Sequence, residues 1–129
     1  MMATILAIDW GSRRIGVARA HAQLRLAEPS TTLSNDGSEM DRLRQIVKEE
    51  DVETVVVGLP RNLEGEETKQ SASIRQFAET LAQDIQCNVV MQDETLSTKT
   101  GSSLSSRYPD AGPDSLAATV ILQDYLDTN

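Results

Sequence analysis

A single cysteine, Cys87, and a single histidine, His21, stand in a chain of 129 residues. One thiol cannot form an internal disulfide, and neither residue has neighbours at zinc-ligand spacing, so any metal here is expected to be held by oxygen. The same scarcity leaves no plausible Ser-His or Cys-His catalytic pair, since His21 lies in a polar hairpin exit. Aromatic residues make up only 3% of the chain, and the core must come from Val, Ile, Leu and Ala. No apolar stretch approaches the roughly 18 to 20 residues needed to span a bilayer, and the N-terminus lacks a basic segment followed by an apolar one and a cleavage site. The expectation is a cytoplasmic protein with no membrane segment. A basic surplus is missing as well: the net charge of −8 argues mildly against non-specific nucleic-acid binding.

The distribution of charge says more than its sum. Nine of the twelve basic residues are Arg, and Arg13, Arg14, Arg61 and Arg75 fall in or near loops expected along one edge of a sheet. The acids gather elsewhere, in Glu49-Glu50-Asp51 and around Glu64-Gly65-Glu66-Glu67. This is either a local basic strip on an acidic body or an ordinary solvated surface. The length suits one domain, residues 1–129, with a core of its own.

The chain is organised around Ile5-Leu6-Ala7-Ile8-Asp9-Trp10-Gly11-Ser12-Arg13-Arg14-Ile15-Gly16-Val17-Ala18. An apolar run ends in one carboxylate, a tight turn carries two arginines, and a second apolar run follows, which predicts a hairpin with Asp9 at the tip of its first strand. A charge there needs solvent, a donor or a cation, although Asp before Gly also serves simply to shape a turn. A third strand is expected from about Arg25 to Leu33, demoted to an edge by Pro29. Asn35-Asp36-Gly37-Ser38 offers a helix N-cap, and Met40, Leu43, Ile46 and Val47 recur at helical spacing, predicting a helix over roughly Glu39 to Glu50.

Thr54-Val55-Val56-Val57-Gly58 reads as a central strand. Leu59 to Gln70 then reads as a candidate functional loop, with Thr68 or Ser71 capping a second helix that runs to about Asp84. Val89-Val90-Met91 is another strand, ending in Gln92-Asp93-Glu94. Thr95 to Arg107 is a poor helix former. Asp114 opens the last helix, whose expected buried stripe is Leu116, Ala117, Val120, Ile121 and Tyr125.

Helical crossovers run right-handed and give parallel neighbours. The first, fourth and fifth strands therefore point one way and bring Asp9, Gly58 and Asp93-Glu94 to the edge where ligands collect in such sheets. With sheet order 3-2-1-4-5, Asp9 and Glu94 stand on backbones about 10 Å apart. Two metal ions about 3.5 to 4 Å apart, each about 2.1 Å from a carboxylate oxygen, would bridge that gap. Asp114 would add a third carboxylate if the last helix starts at the same edge; the plainer alternative is a helix cap. The expectation for such a site is acids that converge with no protein cation at their centre.

Four motifs in this order resemble the YqgF family of Holliday-junction resolvase-like and pre-16S ribosomal RNA nuclease proteins, a branch of the RNase H-like fold. They are Ile8 to Ala18, Val57-Gly58-Leu59-Pro60-Arg61-Asn62-Leu63-Glu64-Gly65, Asp93-Glu94-Thr95-Leu96-Ser97-Thr98, and Asp114-Ser115-Leu116-Ala117-Ala118. The resemblance covers essentially the whole chain and implies an α/β, RNase H-like mixed five-stranded sheet flanked by helices. It places Asp9, Glu94 and Asp114 on catalytic metal ligands, with Asp93 beside them. It also implies Mg²⁺- or Mn²⁺-assisted hydrolysis of a phosphodiester, one ion activating water and the other stabilising the leaving oxygen. The implied substrate is structured nucleic acid, an RNA precursor such as the 5′ end of pre-16S rRNA or branched DNA, with Arg13, Arg14, Arg61 and Asn62 holding phosphates.

The chain departs from the family in two places. Thr95 stands where relatives usually carry Arg, and Ala111-Gly112-Pro113 stands where a basic residue is common. These departures favour one rival reading, a catalytically silent module that binds RNA or a protein partner in ribosome maturation. A second rival is a phosphate or nucleotide binder, because Asp-x-Gly-Ser after a first strand also occurs in the sugar-kinase and actin-like branch. Those proteins pair two such domains, and this chain has one.

Overall fold

Along Thr4–Trp10 (β1) successive side chains serve two different cores. Leu6 and Ile8 join one apolar cluster, whereas Ile5 and Ala7 join another, as the period of two in a strand requires. The computed structural model describes residues 3–60, 69–94, 104 and 106–129, with Lys69 and Glu94 described by backbone alone. The same alternation continues in Arg14–His21 (β2), where Ile15 and Val17 face one cluster and Ala18 and Ala20 the other. Glu28–Ser34 (β3), Val52–Pro60 (β4) and Asn88–Glu94 (β5) complete a sheet in the order β3-β2-β1-β4-β5. This is the expected order. β1 pairs with β2 and β2 with β3 antiparallel, while β1 with β4 and β4 with β5 are parallel.

Helices Glu39–Glu49 (α1) and Lys69–Asp84 (α2) cover the first face, bringing Leu43, Ile74, Phe77, Ala78 and Leu81 onto Leu6, Ile8, Val55, Val57 and Leu59. Full burial of a Leu such as Leu43 or Leu81 stabilises by about 1.5 to 3 kcal/mol. Pro113–Thr128 (α3) covers the second face, packing Ala118, Ile121, Leu122 and Leu126 on Ile5, Ala7, Ala18, Ala20 and Val56. The sheet side of this second core is mostly alanine, so α3 lies close to the strands. Its buried hydroxyls bond within the helix end: Thr119 Oγ1 donates to the Ser115 carbonyl at 2.6 Å, and Ser115 Oγ to the Gly112 carbonyl at 3.2 Å.

Several boundaries differ from expectation. β3 starts at Glu28 rather than near Arg25, because Arg25 adopts a left-handed φ of 52°. Its guanidinium is tied to the carbonyls of Leu126 and Asn129 at the end of α3. β4 takes in Leu59 and Pro60, which were expected in a loop, so the strand carries the chain further toward the candidate site. Ser71 is no helix cap: it lies inside α2, where its hydroxyl donates to the Pro60 carbonyl at 3.3 Å. Thr68 lies outside the described residues. Within the segment expected to be a poor helix, Leu104 and residues 106–107 are helical, Leu104 is buried, and the Tyr108 N–H donates to its carbonyl at 2.9 Å. Asp114 does not open α3. Gly112 is its N-cap and Pro113 its first residue, a position that suits proline because its missing N–H is not needed there.

Candidate active site

The pleat that divides the two cores also sorts the acids. Asp9 continues the Ile5, Ala7 series, so it lies on the face of the sheet covered by α3, half-buried at the end of β1. Its Cα partner across the hairpin is Gly16, and such partners stand about 4.5 to 5.5 Å apart. A Cβ added to Gly16 would meet the Asp114 carbonyl oxygen at 1.9 Å, its carbon at 2.3 Å and the Ser115 nitrogen at 3.0 Å. The first turn of α3 thus rests its backbone on Gly16, and only a hydrogen fits between them. One glycine therefore joins Asp9, by strand pairing, to Asp114, by helix contact.

Asp114 sits in the first turn of α3, where the unsatisfied N–H groups and the helix dipole favour a carboxylate. Its Oδ2 accepts a hydrogen bond from Arg14 Nε at 2.9 Å, with the arginine side chain 61% exposed and the aspartate 29%. Arg14 is two residues before Gly16 on β2 and so shares its face. The acids were expected to gather without a protein cation among them; the structure sets Arg14 against one of them.

On β5 the register is staggered. Ile8 aligns with Val57 and Val57 with Met91, which puts Asp9, Gly58 and Gln92 at one level, whereas Glu94 pairs with Pro60 two residues further on. The backbones of Asp9 and Glu94 are then about 12 Å apart instead of about 10 Å, from two strand spacings and two residue rises. Glu94 is in phase with Val90, which belongs to the α3 side, and its side chain lies outside the described residues. Asp93 is in phase with Val89 and Met91, which pack on the α2 side. The pleat thus carries Asp93 to the opposite face from Asp9, and the structure does not bring it together with Asp9 and Asp114.

The turn after β1 is held from several directions. Gly11 has no room for a side chain, since a Cβ there would stand 2.6 Å from the Arg14 carbonyl oxygen. Asn35 clamps both ends of the turn, donating from Nδ2 to the Gly11 carbonyl at 2.8 Å and from its backbone N–H to the Arg13 carbonyl at 2.8 Å. Sequence pattern marks Asn35 only as a turn former; its place just beyond the third strand was the available signal. Trp10 packs on Phe77 with ring centroids 6.4 Å apart, pinning the end of β1 from the α2 side. Arg13 is exposed at the turn. Arg61 and Asn62 lie outside the described residues.

The chemistry of these side chains suits a hard cation. Asp9 and Asp114 offer oxygen donors on one face, and carboxylates select Mg²⁺ or Mn²⁺ over softer metals. Among the described residues no three His, Cys, Asp or Glu side chains form a metal-binding group, and the Glu94 side chain lies outside them. The other features lie elsewhere. A cleft of about 510 Å³ lined by Ala3, Asp51, Val52, Glu53, Gln86, Cys87 and Asn88 opens at the opposite ends of the strands. Burial pushes the Cys87 thiol up, away from reactivity at neutral pH.

The chain as a whole is similar to known proteins. The family described as RuvX, Holliday junction resolvase, matches residues 3–128. A Chloroflexus aurantiacus protein named "Putative pre-16S rRNA nuclease" is 40% identical over 131 residues, covering 95% of this chain and 86% of the relative. A Fusobacterium nucleatum protein of the same name is 34% identical over 135 residues, covering 98% of each. Among solved structures, Thermus thermophilus RuvC in complex with a Holliday junction substrate superposes with a TM-score of 0.68 at 12% identity, covering 98% of this chain and 94% of that one. That likeness shows the fold, an RNase H-like one, as the sheet order and flanking helices require.

Proposed function

Since the chain belongs to the RuvX, or YqgF, family of nucleases, we propose that it is a divalent-metal-dependent phosphodiesterase with Asp9, Glu94 and Asp114 as its catalytic carboxylates. Its substrate is structured nucleic acid, with pre-16S rRNA, the substrate in the names of its relatives, preferred over a four-way DNA junction, and with cleavage at the precursor's 5′ end as our own reading. The reading places it in the cytoplasm, where that precursor is made; no described helix is long and apolar enough to cross a membrane. The single observation that carries the reading is the convergence of Asp9 and Asp114 through Gly16 on one face of the sheet edge.

Bound Mg²⁺ or Mn²⁺, as a pair, would supply an activated water and stabilise the leaving oxygen. The protein's part is positioning. Asp9 is fixed by a strand whose end is locked between Phe77 below and Gly16 beside it. Asp114 is fixed by its own backbone, so neither carboxylate depends on a flexible loop. Arg13, with Arg14, Arg61 and Asn62, would hold phosphates around the site, fixing register without reading sequence. Asp93, on the far face, is a weaker candidate for a metal contact than Glu94.

The test is cleavage of a 5′-extended 16S precursor and of a four-way junction in Mg²⁺, in Mn²⁺ and in EDTA, for wild type, Asp9→Asn and Asp114→Asn. Metal-dependent cleavage that falls by about a hundredfold or more in both variants is expected, on the scale of losing one charge-stabilising group. Asp9→Asn should fold with no loss of stability in metal-free buffer, because close carboxylates repel. The second reading, a silent nucleic-acid-binding module, is favoured by the arginine already paired with Asp114. It predicts binding of both substrates with no cleavage in any metal.

A further inference from the structure

The pair between Arg14 and Asp114 puts a protein cation where a metal ligand is expected. Both partners are brought there by backbone: Arg14 by its place two residues before Gly16, and Asp114 by the contact of its own carbonyl with that glycine. Neither needs the other's side chain to stay in place. A cation that takes the same carboxylate competes with the guanidinium for it. The pair is also weak enough to exchange, since an arginine 61% exposed is well solvated, and exposed pairs couple by a factor of about five or less.

We propose that Arg14 is a resident counter-ion of Asp114, which divalent metal displaces, and that the displaced guanidinium turns to a phosphate of the bound nucleic acid. The inference rests on the metal-nuclease reading above. In the metal-free protein Arg14 offsets the repulsion between acids gathered at one edge. Once metal takes the carboxylate, the same planar fork that matched it matches a phosphate. The Nε bond to Oδ2 at 2.9 Å is then replaced by a bond to substrate, and no new residue has to be recruited. Metal and nucleic acid each raise the affinity for the other, and by the same factor.

The test is Mn²⁺ binding to the full chain without nucleic acid, by titration calorimetry and by paramagnetic resonance of the free ion. Arg14→Gln should bind about three- to tenfold more tightly than wild type, because both the competing bond and a nearby positive charge are gone. Arg14→Lys, which keeps the charge, should stay within about twofold of wild type, and Asp114→Asn should lose the binding. In wild type the Arg14 Nε–H resonance should move as Mg²⁺ saturates. If wild type binds Mn²⁺ through Asp114 but Arg14→Gln binds it equally or more weakly, the counter-ion role falls and the metal site stands. If neither wild type nor Arg14→Gln shows Asp114-dependent binding, the metal site falls and the counter-ion role with it. Should Arg14→Gln fail to fold, an Nε–H resonance unmoved at saturating Mg²⁺ overturns the proposal by itself.

Discussion

The carbonyl oxygen of Asp114 lies 1.9 Å from the point where a Cβ on Gly16 would stand. The offending atom is backbone in the first turn of a 16-residue helix, so no rotamer change relieves the contact. Gly16→Ala should lift the start of α3 off the sheet while Ala118, Ile121, Leu122 and Leu126 hold the rest of the helix down. Overpacking of this kind costs about 1 to 3 kcal/mol, which for a domain of this size lowers the melting temperature by several degrees. The lifted helix end also carries Asp114 away from Asp9, so the variant should need more Mn²⁺ for the same response. A melting temperature equal to wild type would show that the helix end adapts freely and does not set the distance between the two acids.

Of the arginines proposed to hold phosphates, Arg14 is paired with Asp114, which leaves Arg13 and Arg61 for a test of phosphate contacts alone. Replacing both with Ala should weaken binding of unrelated sequences alike, and should reduce the slope of log affinity against log salt by about 0.7 to 0.9 for each phosphate no longer neutralised. Fluorescence anisotropy with two labelled RNAs of different sequence, over a series of KCl concentrations, measures this. An unchanged slope would return both residues to solvated surface.

Asp36 gives a pH-dependent test of the turn that leads into α1. Its Oδ1 accepts from the Ser38 hydroxyl at 2.6 Å and from the Ser38 N–H at 3.0 Å, and those bonds hold the carboxyl below the usual aspartate range. A carboxyl depressed by folding contributes stability that is present above its unfolded pKa and is lost as pH falls through its folded value. Asp36→Asn should therefore melt below wild type near neutrality, with the gap closing as the pH drops under the ordinary 3.8. A gap that stays constant from neutral to strongly acidic solution would mean that side-chain shape, not charge, holds the turn.

The strand order was legible because right-handed crossovers leave little choice once two helix-strand units follow a meander, and the acids at the ends of β1 and β5 followed from it. The stagger of Glu94 was not legible. Register between parallel strands depends on how β4 and β5 slide under α2, and the apolar runs Val55-Val56-Val57 and Val89-Val90-Met91 fit equally well shifted by one step of the pleat. The face that Asp93 takes was illegible for a related reason: Asp93 and Glu94 are adjacent in sequence, and neighbours in a strand are on opposite faces. The pairing of Arg14 with Asp114 joins residues 100 apart in sequence. No local pattern announces it, because it depends on how closely α3 approaches Gly16. Gly16 itself carried a readable hint, a glycine inside an apolar strand, which marks close backbone approach.

The last prediction separates a metal enzyme from a silent module without measuring cleavage. A ligand that binds only the folded state stabilises it by about 2.7 kcal/mol at a hundredfold excess over its dissociation constant, a rise of several degrees in the melting temperature for a domain near this size. Millimolar Mn²⁺ should therefore raise the melting temperature of the wild type, and Asp9→Asn and Asp114→Asn should each abolish most of the rise. Asp110→Asn should not. Asp110 is an exposed acid in the turn just before α3, so it controls for loose attraction of Mn²⁺ to an acidic surface. Asp114→Asn gives up its bond from Arg14 and should begin slightly less stable than wild type. If the double variant Asp9→Asn, Asp114→Asn responds to Mn²⁺ as strongly as wild type, the ion binds elsewhere. These carboxylates would then serve the fold, with the silent module replacing the nuclease.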